Sequence, residues 1–435
     1  MNQAVIRPFN HERYYHDYCE IDQPNNLTQN QICWMGDISV SLADLRTETK
    51  QVRNILGEWI SETVSNYSID GLRIDAAFHV EPDFFTGFMS SAGVFGTGEV
   101  MRGEAALACE WEETIGSVLN YPVYYPLIRA FQTPSGSFQD LTTAIRAAQS
   151  QCSDPSALGS FSENHDVPRF AQYTQDLAQA MNVLAFTFMA DGIPIVYQGQ
   201  EHHLAGAASP HYNRSPLWGT QFDTDTPLYE HITRLNALRS HLASHDDSDD
   251  FFTDLNSIIH QSDHVLAMRK GRALTVLTNS GADTYAYTVE LGFPAHRFQP
   301  GTRLTEIVSC VSRTVDGTGG LEVPMDSGEP RVLFPTEELR GSGLCGLGGS
   351  RVVGDGGSAT STGVRGEVTE TASGGSGDGG DSNGENGDGE SDESTGSDEG
   401  FIDQTGAAAS ETPRFAAFVL AAAGCLVLPG SGGLF

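Results

Sequence analysis

The sequence predicts an α/β chain: parallel βα units of the barrel type, then a small antiparallel β-sandwich, then an acidic tail. Three observations predict it. Short apolar runs alternate with helical stretches, which is the pattern of parallel βαβ units. Three of the runs end in carboxylates: Gly71-Leu72-Arg73-Ile74-Asp75, Gly98-Glu99-Val100 and Phe161-Ser162-Glu163-Asn164-His165-Asp166. A strand that delivers an acid at its C-terminal end is how a β/α barrel builds an active site. From about Asp250 the texture changes to short runs separated by Gly, Asp and Ser, as in an antiparallel sandwich.

Residues 1 to about 50 read as loop-rich. Lys50 to Asn66 is an amphipathic helix, with Val52, Ile55, Leu56, Trp59, Ile60 and Val64 on one side. Ile69 to Ala76 is a strand, Pro82 to Ala92 a helix and Val94 to Val100 the next strand. Ile115 to Tyr121 reads as a further strand, followed by a helix through Leu127 and Phe131. Leu158 to Glu163 and Gly192 to Gln198 are the last two barrel strands. In the sandwich, strands are expected over Val265–Met268, Ala273–Thr278, Tyr285–Leu291 and Arg331–Pro335.

After Cys345 the chain turns to Gly, Ser, Asp, Glu and Thr. It carries too little apolar surface to offset chain entropy and is expected to be a disordered spacer. The apolar run Phe415–Leu428 is short for a bilayer span. Small residues (Gly406 to Ser410) and a polar spacer (Glu411 to Arg414) precede it, which is the pattern of a GPI-anchor signal. The expected domains are a barrel over 1–245, a sandwich over 250–345, the spacer over 346–405 and the anchor signal over 406–435.

The 435 residues carry a formal net charge of −33. Residues 351–400 hold 12 acids against 2 Arg, so much of the excess is spread over the folded part. Such acidity argues against nucleic acid or an anionic membrane surface as partner. Six of the seven Cys can pair in 15 ways, and disulfides imply an oxidising compartment. The sequons at Asn26, Asn66 and Asn213 fit the secretory route, although Pro216 disfavours the third.

On the segments GLRIDAAFHV (Gly71 to Val80), GEVMRGE (Gly98 to Glu104), FSENHDVPRF (Phe161 to Phe170) and GIPIVYQGQE (Gly192 to Glu201), the chain resembles the secreted fungal α-amylases. The resemblance runs from about Tyr14 to about Glu338. It implies a (β/α)8 TIM barrel and retaining cleavage of α-1,4-glucosidic bonds. Asp75 would be the nucleophile, Glu99 the general acid/base, and Asp166 a holder of sugar hydroxyls. Arg73 and Asp75 lie two apart on a strand and share a face, so the guanidinium favours the ionised carboxylate. His165 would bond the sugar beside the cleaved link, and Arg214 matches a residue that contacts a distal glucose.

The resemblance further implies the pairs Cys19–Cys33, Cys109–Cys152 and Cys310–Cys345, with Cys425 left over. It places calcium on the Asp44 carboxylate and the His79 main-chain carbonyl. Gln31 stands where a second calcium-site carboxylate is expected, and the Asn ligand has no counterpart, so calcium binding is expected to be weak or absent. Phe78 replaces a Lys that contacts the leaving sugar, and is expected to stack on a sugar ring. Glu201-His202-His203 lacks a second His at helical spacing and is not read as a metal site.

The similarity begins in mid-fold. A complete barrel takes about 250 residues, and there is room here for roughly five of the eight βα units. No signal peptide is visible at Met1. The expectation is a chain cut short at its N-terminus, with exposed strand edges. The leading reading is an endo-acting α-1,4-glucan hydrolase, a monomer held at the cell surface or wall by a GPI anchor. One alternative is a 4-α-glucanotransferase acting on cell-wall α-glucan. Another is an inactive truncated product or glucan-binding protein. The expected partner is an α-glucan polysaccharide or maltooligosaccharide, with no nucleic acid.

Overall fold

The computed structural model describes residues 6–36, 39–209, 211–244 and 249–348. The acidic spacer from 349 onward and the anchor-type tail, Cys425 included, lie outside the described residues. Two short strands, β1 (Met35–Gly36) and β2 (Ser41–Leu42), form a hairpin near the start.

The barrel part is a row of parallel staves. Strand β3 (Gly71–Ile74) pairs with β4 (Phe95–Gly98), and β5 (Gly159–Phe161) pairs with β6 (Ile193–Ile195). Parallel bridges Gly98↔Val118 and Leu119↔Gly159 join the two pairs through a fifth segment. The expected strand over Ile115–Tyr121 shrinks to these bridges for a local reason. The helix Ala105–Ile115 ends with Gly116 as its left-handed cap, and Asn120 already caps the helix Tyr121–Phe131, so few residues remain to pair. Among the described residues the array ends at β3 and β6, and Ile193 on β6 is 45% exposed.

Helices α1 (Leu27–Ile32), α2 (Lys50–Tyr67), α3 (Pro82–Ala92), α4 (Ala105–Ile115), α5 (Tyr121–Phe131), α6 (Phe138–Gln151), α7 (Leu177–Met189), α8 (Pro227–Ala243) and α9 (Asp249–Thr253) complete the barrel part. On α2 the expected apolar face is turned inward: Val52, Leu56 and Ile60 are buried, and Ile55, Trp59 and Val64 pack beside them. Thr49 caps its first turn through Val52 N–H. Helix α3 starts on Pro82 and stops at Gly93 in the left-handed region (φ 65°).

The second part is an antiparallel sandwich. Strands β7 (Ser257–Gln261), β8 (Val265–Lys270), β9 (Ala273–Thr278), β11 (Arg303–Glu306), β12 (Ser312–Thr314) and β14 (Arg331–Pro335) form one sheet, in the order β12-β11-β14-β9-β8-β7. Strands β10 (Tyr287–Gly292) and β13 (Gly320–Met325) form the other. The large sheet is buried on both faces. Val265 and Ala267 face β10 and β13 in the sandwich core, whereas Leu266 and Met268 join the barrel core. Side chains that alternate across the sheet thus weld the two parts together. The four expected strands are present. β7, β11, β12 and β13 are short or interrupted by polar residues, which hid them.

The disulfides are Cys19–Cys33, Cys109–Cys152 and Cys310–Cys345, the pairs the resemblance implied. Asn213 is fully buried, so its sequon is out of reach.

Candidate active site

The first two acids meet because the turns after β3 and β4 are tight. A Cβ on Gly98 would lie 2.5 Å from Ile115 Cδ1 and 3.2 Å from Ala77 Cβ, so only glycine lets α4 close here. Glu99 N–H then donates to Ile74 O (2.8 Å), tying the end of β4 to that of β3. Ala76 follows Asp75 with φ 50°, a conformation costly for a residue with Cβ. It aims Ala76 N–H at Glu99 Oε2, 3.0 Å away.

Arg73 stands between the carboxylates. Its Nη1 bonds Asp75 Oδ1, and its Nη2 lies 2.8 Å from Glu99 Oε1. That second contact is an ion contact only, and Glu99 Oε1 receives no hydrogen bond. The two acids differ in exposure: the Asp75 side chain is 47% exposed and that of Glu99 11%. Burial pushes the Glu99 carboxyl above its usual range. Arg73 and Ala76 N–H oppose this, while the charges of Asp75 and Asp166 add to it.

Asp166 is held from several sides. Asn164 Oδ1 accepts from Asp166 N (2.8 Å) and Val167 N (3.1 Å), and Asn164 Nδ2 donates to Tyr121 Oη (2.8 Å). His165 Nε2 is 3.1 Å from Asp166 Oδ2. Arg214 Nη2 donates to Asp166 Oδ1 (3.0 Å) and its Nε to His165 O (3.0 Å). Arg214 therefore braces the acid rather than reaching past it.

Under this arm lies a buried pair that no motif in the sequence announces. Arg169 Nη1 is 3.3 Å from Glu163 Oε2, with both side chains sealed from solvent. Arg169 Nε donates to Asn213 O (2.8 Å), and its guanidinium lies 4.4 Å from the Tyr197 ring centroid. Asn213 Nδ2 donates to His165 O (2.9 Å) and Val167 O (2.7 Å). The segment bearing His165 and Asp166 is thus stitched to the 206–214 loop. An Arg three positions after the acid was the available signal, but a buried partner six residues away has no sequence signature.

One expectation is corrected. Phe78 is buried at 6% exposure and packs against Trp111, and the Arg102 guanidinium lies 4.2 Å from its ring centroid. Its face is covered and does not stack on a sugar. Asp44, the calcium candidate, is engaged by a histidine. Its Oδ2 is 2.5 Å from His16 Nδ1, with Glu48 on the other imidazole nitrogen at 3.4 Å. Burial, partly offset by His16, pushes the Asp44 carboxyl up to about 6. The His79 ring bonds Asn30 O (3.0 Å), away from the three acids' hydrogen bonds. Among the described residues no three His, Cys, Asp or Glu side chains gather as a metal site. A hard dication gains most from free anionic oxygens, and the one carboxylate expected to hold calcium is here shared with His16.

A row of parallel strands with two differently buried carboxylates at adjacent strand ends, and a third acid within electrostatic reach of Glu99, defines a barrel glycoside hydrolase. Residues 6–257 match the alpha amylase catalytic domain and residues 258–352 match alpha-amylase domain C. The chain belongs to the α-amylase family, whose members in general depend on calcium. It is 39% identical over 337 residues to an α-amylase of Saccharomycopsis fibuligera, covering 78% of this chain and 67% of that one. It is 41% identical over 340 residues to α-amylase 1 of Lipomyces kononenkoae, covering 78% of this chain but 54% of that one. The structure of an α-amylase from Malbranchea cinnamomea superposes with TM-score 0.76 at 46% identity, covering 79% of this chain and 72% of that chain.

Proposed function

We propose that the chain is an endo-acting, retaining α-1,4-glucan hydrolase with Asp75 as nucleophile and Glu99 as acid/base. One observation carries the assignment. A single guanidinium, Arg73, touches both carboxylates, yet Glu99 is much the more buried of the two, and burial pushes its carboxyl above the usual range. Asp75 attacks the sugar C1 while Glu99 gives its proton to the departing glycosidic oxygen. A water then gives its proton to Glu99 and its oxygen to C1, which frees Asp75. Asp166, with His165 beside it, holds hydroxyls of the ring being cleaved.

No step runs through calcium. Treatment with a chelator is expected to leave the melting temperature unchanged in a thermal scan; a fall of several degrees overturns the reading of Asp44 as spent on His16.

A second reading is 4-α-glucanotransfer by the same acids, in which a sugar hydroxyl in place of water attacks the glycosyl group on Asp75. The three disulfides fit the secretory pathway, and display on a GPI anchor rests on the pattern of 406–435 alone. One experiment tests reaction and location together. Cells making the full chain are given maltoheptaose before and after phosphatidylinositol-specific phospholipase. Shorter sugars only, from activity released by the phospholipase, are expected. Products longer than the substrate favour transfer, no products sink both readings, and activity unaffected by the phospholipase removes the anchor.

A further inference from the structure

The two sheets of the sandwich are unequal, six strands against two. At the β7 end of the large sheet a groove of about 460 Å³ opens between them. Its lining includes His260, Ser262, His264, Thr284, Tyr287 and Glu290. That volume falls within the range of small-molecule sites. A bulge between Ile258 and His260 sets which residues of β7 face it. His260 pairs with Ala267, which faces the sandwich core. Gln261 pairs with Leu266 and bonds Thr142 on α6. The groove therefore lies on the side of the large sheet turned away from α6. It shares no residue with the site of Asp75, Glu99 and Asp166.

Several of its polar groups are held in place. Asn279 is fully buried, and its Nδ2 donates to Ala130 O (3.1 Å) and Gly136 O (2.7 Å). Its Oδ1 is thus the acceptor for His264 Nδ1, 3.0 Å away. In the neutral imidazole Nε2 is then left to accept from a ligand. Tyr287 Oη donates to Thr278 Oγ1 (2.8 Å), which fixes that ring at the groove. Tyr285, between Thr284 and Tyr287 in the chain, is 92% exposed. Strand β10 pairs only with β13 among the described residues, so its free edge adds main-chain donors and acceptors.

No Lys or Arg lines the groove, whereas Glu290 does. On a chain of net charge −33 this repels an anion. Hydroxyls, an oriented imidazole and tyrosine rings suit a neutral, polyhydroxylated ligand. Its O–H groups donate and accept, and its C–H faces lie on an aromatic ring. We infer that the groove is a non-catalytic binding site for α-glucan, which holds the polymer while the barrel cleaves it. The choice of α-glucan rests on the proposed function; the fit to a neutral sugar chain does not.

The test uses the full chain and Tyr285→Ala, which removes an exposed ring and no packing. Adsorption to granular starch is expected to weaken about tenfold, equivalent to about 1.4 kcal/mol. Hydrolysis of granules should slow with it. The kcat/KM for maltotriose, which needs no second hold, should be unchanged. Thr288→Lys, which crowds the groove from an exposed position on β10, should act alike. Unchanged adsorption in both variants overturns the proposal. An equal loss on granules and maltotriose marks a structural role and overturns it too. Adsorption to an insoluble β-glucan that falls as far as that to starch overturns the assignment to α-glucan. A parent that cleaves no maltoheptaose sinks the proposed hydrolase; starch adsorption lost in the variants then still supports the groove.

Discussion

Glu99→Gln is expected to lower kcat on maltooligosaccharides by about 10²–10⁴-fold, the usual yield of a positioned general acid. The amide keeps size and can still accept from Ala76 N–H, so the fold should survive. It has no proton to give the departing oxygen. An aryl glucoside with an acidic phenol needs little protonation, so its glycosylation step should be nearly spared. Paired kinetics on the two substrates check this, and equal losses on both would remove Glu99 as the acid. The same residue sets an alkaline limb. Glu99 must be protonated to act, and burial raises its pKa. Activity should therefore hold below that raised value and fall as pH rises through it. In the variant this limb should disappear from the profile.

The chemistry of this site was more legible in the chain than its geometry. Asp75, Glu99 and Asp166 each close a short apolar run, and period-2 reasoning alone puts Arg73 on the same face as Asp75. The parallel staves were readable because helices with clear periodicity, such as α2, separate them. What remained hidden depends on contacts between distant segments. Nothing near Phe78 says that Arg102, 24 positions on, will cover its ring. Nothing near Asp44 says that His16 will take its carboxylate. Asn213 reads as a sequon, yet its amide is turned inward onto His165 O and Val167 O. Long-range polar contacts carry no periodicity, so pattern reading does not see them. The Ile115–Tyr121 strand failed for the opposite reason. Its residues suit a strand, but the caps at Gly116 and Asn120 leave it no length.

Arg169→Ala is expected to be the most damaging substitution away from the three acids. Arg169 and Glu163 are both sealed from solvent, and removing one member of a buried pair costs about 3–5 kcal/mol because the other charge is stranded. At roughly 2–4 °C per kcal/mol for a domain of 150–250 residues, the melting temperature should drop by on the order of 10 °C. The loss should depend on pH in a definite direction. Burial, opposed by Phe170 N–H and Arg169, holds Glu163 at about 7, above its unfolded value. A carboxyl raised on folding contributes stability that is full below its unfolded pKa and is lost as pH rises through about 7. Without Arg169 one of the opposing influences is gone, so the penalty should be larger at pH 8 than at pH 5. Adding Glu163→Gln to Arg169→Met keeps an acceptor for Phe170 N–H and strands no charge; it should recover most of the stability. Activity is a separate readout. Arg169 also bonds Asn213 O, and Asn213 fixes the carbonyls of His165 and Val167 on either side of Asp166. A misplacement of about 1 Å in such a group costs on the order of 10²-fold in rate. The double variant should therefore be stable but slow. Denaturation at two pH values, with kcat on the double variant, decides it: equal losses at pH 5 and 8 would show that Glu163 is not the group left stranded.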